Sequence, residues 1–146
     1  MQRKEAFPMW VVYALLSALF ASATSVLAKV GIRDIGSNLA TAVRTIVVLA
    51  LAWGMVFVSG QQQDMHRLTQ GSNLLFLILS GLATGLSWLF YYHALQIAPA
   101  SKVAPIDKLS VVFTVILAAV FLHESLDWKT LLGVALIAGG TLVMVL

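Results

Sequence analysis

Three ionic side chains, Arg44, Asp107 and Lys108, occur inside long apolar stretches of the sequence. As helices, the charge-free parts of two stretches, residues 45–59 and 109–122, would reach only ~22 Å and ~21 Å. The hydrocarbon core of a membrane is about 30 Å thick, so both helices must draw these charges into the apolar layer. Each charge costs roughly 2.5 to 3.5 kcal/mol there, which indicates a partner or a functional role.

The partners of these charges are expected on other helices. Neighbouring residues of one helix point about 100° apart, so Asp107 and Lys108 should not face each other, and no opposite charge lies three or four positions away. The two stretches, residues 39–59 and 103–122, begin on the same side of the membrane, which places Arg44 and Asp107 at a depth of roughly 7 Å from that surface. The sequence therefore predicts an ion pair between Arg44 and Asp107.

A third apolar stretch ends on this same side and brings aromatic and imidazole side chains to a similar depth. The candidate substrate-binding residues are Lys29, Arg44, Trp88, Tyr91, Tyr92, His93, Asp107 and Lys108. Their cations outnumber the single carboxylate, which favours anionic or zwitterionic solutes over cations. Structural roles stay open: Lys29 and Arg44 could snorkel to the headgroups, Asp107 and Lys108 could form structural pairs, and His93 could be an ordinary buried histidine.

No catalytic or metal-binding pattern occurs in the sequence. His66, His93 and His123 lie in different segments and lack the spacing of a metal site. There is neither a glycine-rich phosphate loop nor a serine nucleophile elbow. Basic residues are scattered singly, which argues against nucleic acid as a partner. We therefore expect a protein that is not an enzyme and needs no cofactor or metal.

The composition defines the elements that must position these residues. Of the 146 residues, 60% are hydrophobic and 10% charged, against roughly 25% charged in soluble domains. The apolar stretches cover residues 9–28, 39–59, 74–95, 103–122 and 128–146. Each is about long enough to cross a bilayer as a helix, and continuous apolarity excludes the alternation of a β-barrel. The fold class predicted is all-α: a polytopic membrane protein with a bundle of five transmembrane helices.

The first stretch has an alternative interpretation as a cleaved signal peptide. Basic residues precede it and small residues close it, as a signal peptidase prefers. Its apolar run is longer than the roughly 7 to 15 residues of a signal-peptide core, so a spanning helix is the preferred prediction.

Small residues at helical spacing predict where the helices pack. Helices in lipid associate where small side chains let their backbones approach. The candidate helix-packing positions are Gly81 and Gly85 in the third stretch, and Ala135 and Gly139 in the fifth.

The basic residues give almost no orientation bias. With five spans the termini lie on opposite sides: the N face carries the N-terminus, and the C face carries the C-terminus. Arg3, Lys4, Arg67 and Lys129 belong to the N face; Lys29, Arg33 and Lys102, with Arg44 and Lys108 if they reach the interface, belong to the C face. So small a bias favours insertion both ways up and an antiparallel homodimer, because inverted repeats around a central site are common in transporters.

Motifs in both halves of the chain resemble a known family. The motif positions are Lys29, Arg44, Gly85, residues 91–95, residues 100–105, Leu122, Glu124, Leu126, Gly133, Gly139 and Gly140. This pattern is similar to the EamA-type domain of the drug/metabolite transporter superfamily, and covers nearly the whole of residues 1–146 as one domain.

The resemblance implies a function and a location. It implies a multi-pass secondary transporter of small metabolites in the cytoplasmic membrane of a bacterium or archaeon. Typical members carry two such domains and ten helices, so a single domain implies self-association, with the solute and the lipid bilayer as the other partners. The alternative is a non-transporting membrane subunit that packs against a larger transporter or membrane complex.

Overall fold

The computed structural model describes residues 8–146, except for the side chain of Thr69, and contains helices and no strands across that range. The helices are α1 (Met9–Gly31), α2 (Ser37–Ser59), α3 (Asn73–Ile97), α4 (Ala100–Asp107), α5 (Ser110–Phe121) and α6 (Trp128–Val145). A 3-10 helix, Gln61–Thr69, joins α2 to α3. Arg3 and Lys4, which entered the charge comparison, lie outside the described residues.

The predicted fold class is confirmed. Five segments are long and apolar enough to cross a membrane: α1, α2, α3, the Ala100–Phe121 segment that contains α4 and α5, and α6. In lipid each backbone N–H and C=O group must be satisfied internally, and a helix does this within one segment. The chain is therefore a multi-pass membrane protein.

The helix ends follow local backbone chemistry. Gly60 has a φ of 72°, a left-handed conformation that glycine adopts without a Cβ penalty and that ends α2. At the start of α6, the Asp127 carboxylate accepts hydrogen bonds from the Thr130 hydroxyl and from the Thr130 backbone N–H, the latter at 2.9 Å. These bonds hold the pKa of the Asp127 carboxyl below its ordinary value, because they stabilise its charged form.

The fourth span is interrupted between α4 and α5. Pro105 lies inside α4 and has no N–H to donate to the preceding turn. Just after it the bonding tightens to i→i+3 pairs, with the Lys108 N–H 3.0 Å from the Pro105 carbonyl and the Leu109 N–H 3.0 Å from the Ile106 carbonyl. The charged pair Asp107–Lys108 therefore lies at a break in the helix.

Packing is concentrated at the C face. The core there consists of Ile32, Tyr92, Leu95 and Val103, whereas most other large apolar side chains in the described residues are exposed. The α3 helix lies centrally and contacts α1, α2 and α4, while α6 packs on α4 and α5. Exposed apolar faces on a membrane protein meet lipid or another protein chain.

The predicted packing positions do not lie at close contacts between two helices of this chain. A Cβ atom added to Gly81, Gly85 or Gly139 would meet no atom within 4 Å, and Ala135 is exposed. Their spacing does not fix which helix, or which chain, each of them faces. A role for these positions in packing against another chain stays a prediction.

Candidate functional site

The α2 helix projects Arg44 against the aromatic side chains of α3. The Arg44 guanidinium carbon lies 4.4 Å from the centroid of the Trp88 ring and 5.2 Å from that of the Tyr92 ring. Aromatic faces attract cations, and the guanidinium is weakly hydrated, so stacking stabilises it away from bulk water. Because Trp88 and Tyr92 are four residues apart on one helix, both rings reach the same guanidinium.

A polar cavity of about 250 Å³ opens beside this stack. Five of the predicted substrate-binding residues line it: Arg44, Trp88, Tyr91, Asp107 and Lys108. The other lining residues are Ala21, Thr24, Ser25 and Ser87. Four spans, namely α1, α2, α3 and the fourth span at its break, therefore contribute to one polar space inside an otherwise apolar bundle.

The predicted ion pair between Arg44 and Asp107 is wrong. Within residues 8–146 Asp107 pairs instead with Lys108, whose Nζ lies 3.3 Å from its Oδ2, and Arg44 is stacked on the rings. The neighbours can meet because the long, flexible lysine stem lets its ammonium group bend round to the adjacent carboxylate, although the two side chains leave the backbone in different directions. Arg44 and Asp107 line the same cavity without pairing, which leaves its volume to a solute or water.

Two other predicted binding residues lie elsewhere. Lys29 donates through Nζ to the carbonyl of Leu95 and, at 2.9 Å, to that of Ala98. It thus caps the C-terminal end of α3, where unpaired carbonyls attract a cation. His93 is exposed and lines neither the polar cavity nor the groove beside Tyr92.

Sequence reasoning missed the hydroxyl groups of the cavity. The Ser25 hydroxyl lies 2.7 Å from that of Tyr91, which joins α1 to α3, and Ser87 and Thr24 line the same wall. A signal was available: Ser25 lies one turn before Lys29, and Ser87 one turn before Tyr91, so each shares a helix face with a predicted residue.

Comparison with known proteins identifies the family. The sequence matches the EamA-like transporter family over residues 8–146. The chain belongs to this family. The relatives of this EamA-like chain include an "uncharacterized transporter in cobO 3′ region" from Sinorhizobium sp., 48% identical over 135 residues, which cover 92% of this chain and 95% of the relative. No solved structure gives a significant match.

A second relative of the EamA-like chain is about twice as long. It is an uncharacterized transporter from Helicobacter pylori, 29% identical over 144 residues, which cover 93% of this chain and 46% of the relative. The chain spans about half the length of this relative.

Proposed function

We propose that the chain is a secondary transporter of small anionic or zwitterionic metabolites, which it moves unchanged across the cytoplasmic membrane of a bacterium or archaeon. Membership of a transporter family and the bacterial origin of both relatives support the process and the location. The observation that carries the solute class is the Arg44 guanidinium, stacked on two rings at the wall of a polar cavity.

The chemistry of the cavity suits a carboxylate or phosphate. A guanidinium forms charge-assisted, often bidentate hydrogen bonds to such groups, and the rings of Trp88 and Tyr92 hold its plane in place beforehand. In a zwitterion, the ammonium group would lie toward Asp107, which lines the same cavity and pairs with Lys108. Both solute classes thus have partners of opposite charge, whereas a dication would meet two cations, Arg44 and Lys108.

A matched set of four-carbon solutes tests the solute class. We expect succinate or 4-aminobutyrate to raise the melting temperature of the purified protein in detergent, and 1,4-diaminobutane to leave it unchanged. Ligands that bind only the folded state stabilise it by mass action. The same comparison extended to metabolite libraries identifies the solute, and stabilisation by dications alone would contradict the proposal.

Alternating access is proposed to occur in an antiparallel homodimer. Three observations support it: the longer relative is about twice this length, most apolar faces of the described chain lack partners, and the basic residues are nearly balanced between the two faces. A second, inverted copy would supply what longer transporters encode as a second repeat, and would enclose the site.

Cysteine labelling tests the two orientations. The natural sequence has no cysteine, so Asn38→Cys and Gln62→Cys each introduce a single thiol, one near each end of α2, at exposed neutral positions. A membrane-impermeant maleimide applied to intact cells is expected to label a fraction of both variants. Complete labelling of one and none of the other would exclude the antiparallel pair.

A further inference from the structure

An apolar groove of about 370 Å³ lies between α1 and α2 and shares Arg44 and Thr24 with the polar cavity. Its walls are mostly aliphatic; the lining residues are Thr24, Leu27, Ala28, Gly31, Ile32, Ile35, Ala40, Val43, Arg44 and Tyr92. This volume is in the range of small-molecule pockets, which are largely apolar with a few polar groups that fix the ligand's orientation.

The polar side chains of the groove are those of Thr24, Arg44 and Tyr92. Tyr92 is only 2% exposed, and its hydroxyl, which has the Arg44 side chain beside it, makes no hydrogen bond of good geometry within the described residues. Buried hydroxyls almost always have a partner. The Tyr92 ring also lies against the guanidinium of Arg44, so a cationic donor and a phenol lie together in the wall of an apolar space. Such a wall suits an anionic acceptor.

The direction of the groove argues against a bilayer lipid as its occupant. Arg44 lies seven residues into α2, ~10 Å from the helix start, whereas Gly31, Ile32 and Ile35 line the part of the groove nearest the C face. A bilayer lipid has its charged headgroup at the surface and its acyl chains inside. The groove has the reverse order, because its charged residue lies deeper than its apolar end. A dissolved organic anion can place its charge inward.

We propose that this groove binds the apolar part of an organic monocarboxylate, whose carboxylate lies at Arg44 and Tyr92. The proposal rests on the function proposed above and narrows its solute class to acids that carry an alkyl or aryl group. Each methylene removed from water should tighten binding about two- to fourfold, the upper value being that for complete burial.

A series of acids tests the proposal on the natural protein. Calorimetric titration with acetate, butanoate and hexanoate is expected to show an affinity that rises about two- to fourfold per methylene. Hexan-1-ol and hexylamine share the chain but lack the carboxylate, and are expected not to bind. This control distinguishes binding in the groove from partition of the alkyl chain into the detergent micelle. Equal affinities along the series would overturn the proposal.

Two glycine variants locate the effect. A Cβ on Gly31, which lines the groove, or on Gly54, which does not, would meet nothing within 4 Å. Gly31→Leu is expected to remove the gain from acetate to hexanoate while acetate still binds, and Gly54→Leu to preserve the gain. An unchanged gain in Gly31→Leu would also overturn the proposal.

The outcomes separate this proposal from the function on which it rests. If anions bind at Arg44 irrespective of chain length, the groove proposal fails and the proposed function stands. If no anion binds in a way that depends on Arg44, the proposed function fails as well. Tyr92→Phe, which keeps the ring and loses the hydroxyl, is expected to weaken all three acids by a similar factor; an unaltered affinity would remove Tyr92 from the site.

Discussion

The Arg44→Ala variant is expected to lose anion binding by about ten- to a hundredfold, because hydrogen bonds to a charged group contribute about 1.5 to 3 kcal/mol. Arg44→Lys keeps the charge but loses the planar donor set, so we expect an intermediate affinity. Titration of the purified variants with succinate and hexanoate measures both effects.

Lys129→Ala is the matched control for this loss. Lys129 is an exposed cation in α6 that lines neither the cavity nor the groove, so its removal changes the net charge equally and should leave the affinity unchanged. Removal of Arg44 should not prevent membrane insertion, since it relieves the cost of a charge in the apolar layer. Anions bound by Arg44→Ala with the natural affinity would show that Arg44 is not their site.

The Lys29→Met variant is expected to be less stable by about 1 to 3 kcal/mol, the cost of leaving a buried polar group unpaired. Two carbonyls at the end of α3, those of Leu95 and Ala98, would lose the donor that α1 provides. Methionine keeps most of the apolar stem of lysine, so the loss reports the ammonium group rather than the packing. Thermal unfolding in detergent measures the effect.

Anion titration of the same variant distinguishes a structural role of Lys29 from direct solute binding. We expect the folded fraction of Lys29→Met to bind succinate with unchanged affinity. Arg33→Met serves as control, because it removes an exposed cation in the loop just after α1 and should change neither property. Natural stability combined with lost binding would restore Lys29 to the solute site and contradict the structural role.

The helices could be predicted because lipid allows few alternatives for an apolar segment. The residues at which the helices end could be predicted less well. The predicted first span stops at residue 28, but α1 continues to Gly31, because Lys29 places its charge on the end of α3 and so fits inside a helix. The 3-10 helix Gln61–Thr69 lies in a polar linker where hydropathy carries no signal.

The membership of the site could be predicted in part, because chain direction fixes depth in a membrane. Arg44, Tyr91 and Asp107 were assigned similar levels, and they line one cavity. Depth does not fix the rotation of each helix about its axis, so neither the partner of Arg44 nor the exposure of His93 could be predicted from the sequence. The pairing of Asp107 with Lys108 depends on how the flexible lysine stem bends, which the angular separation of neighbouring residues does not predict.

Uptake into proteoliposomes tests most directly whether the cavity beside Arg44 carries solute. The purified chain, without any partner protein, is reconstituted as the natural form, Arg44→Ala and Lys129→Ala, and accumulation of the radiolabelled anion selected by binding is measured. The natural form and Lys129→Ala are expected to accumulate the anion, and Arg44→Ala to match empty liposomes. Uptake by Arg44→Ala at the natural rate would contradict the assignment of this cavity as the transport site.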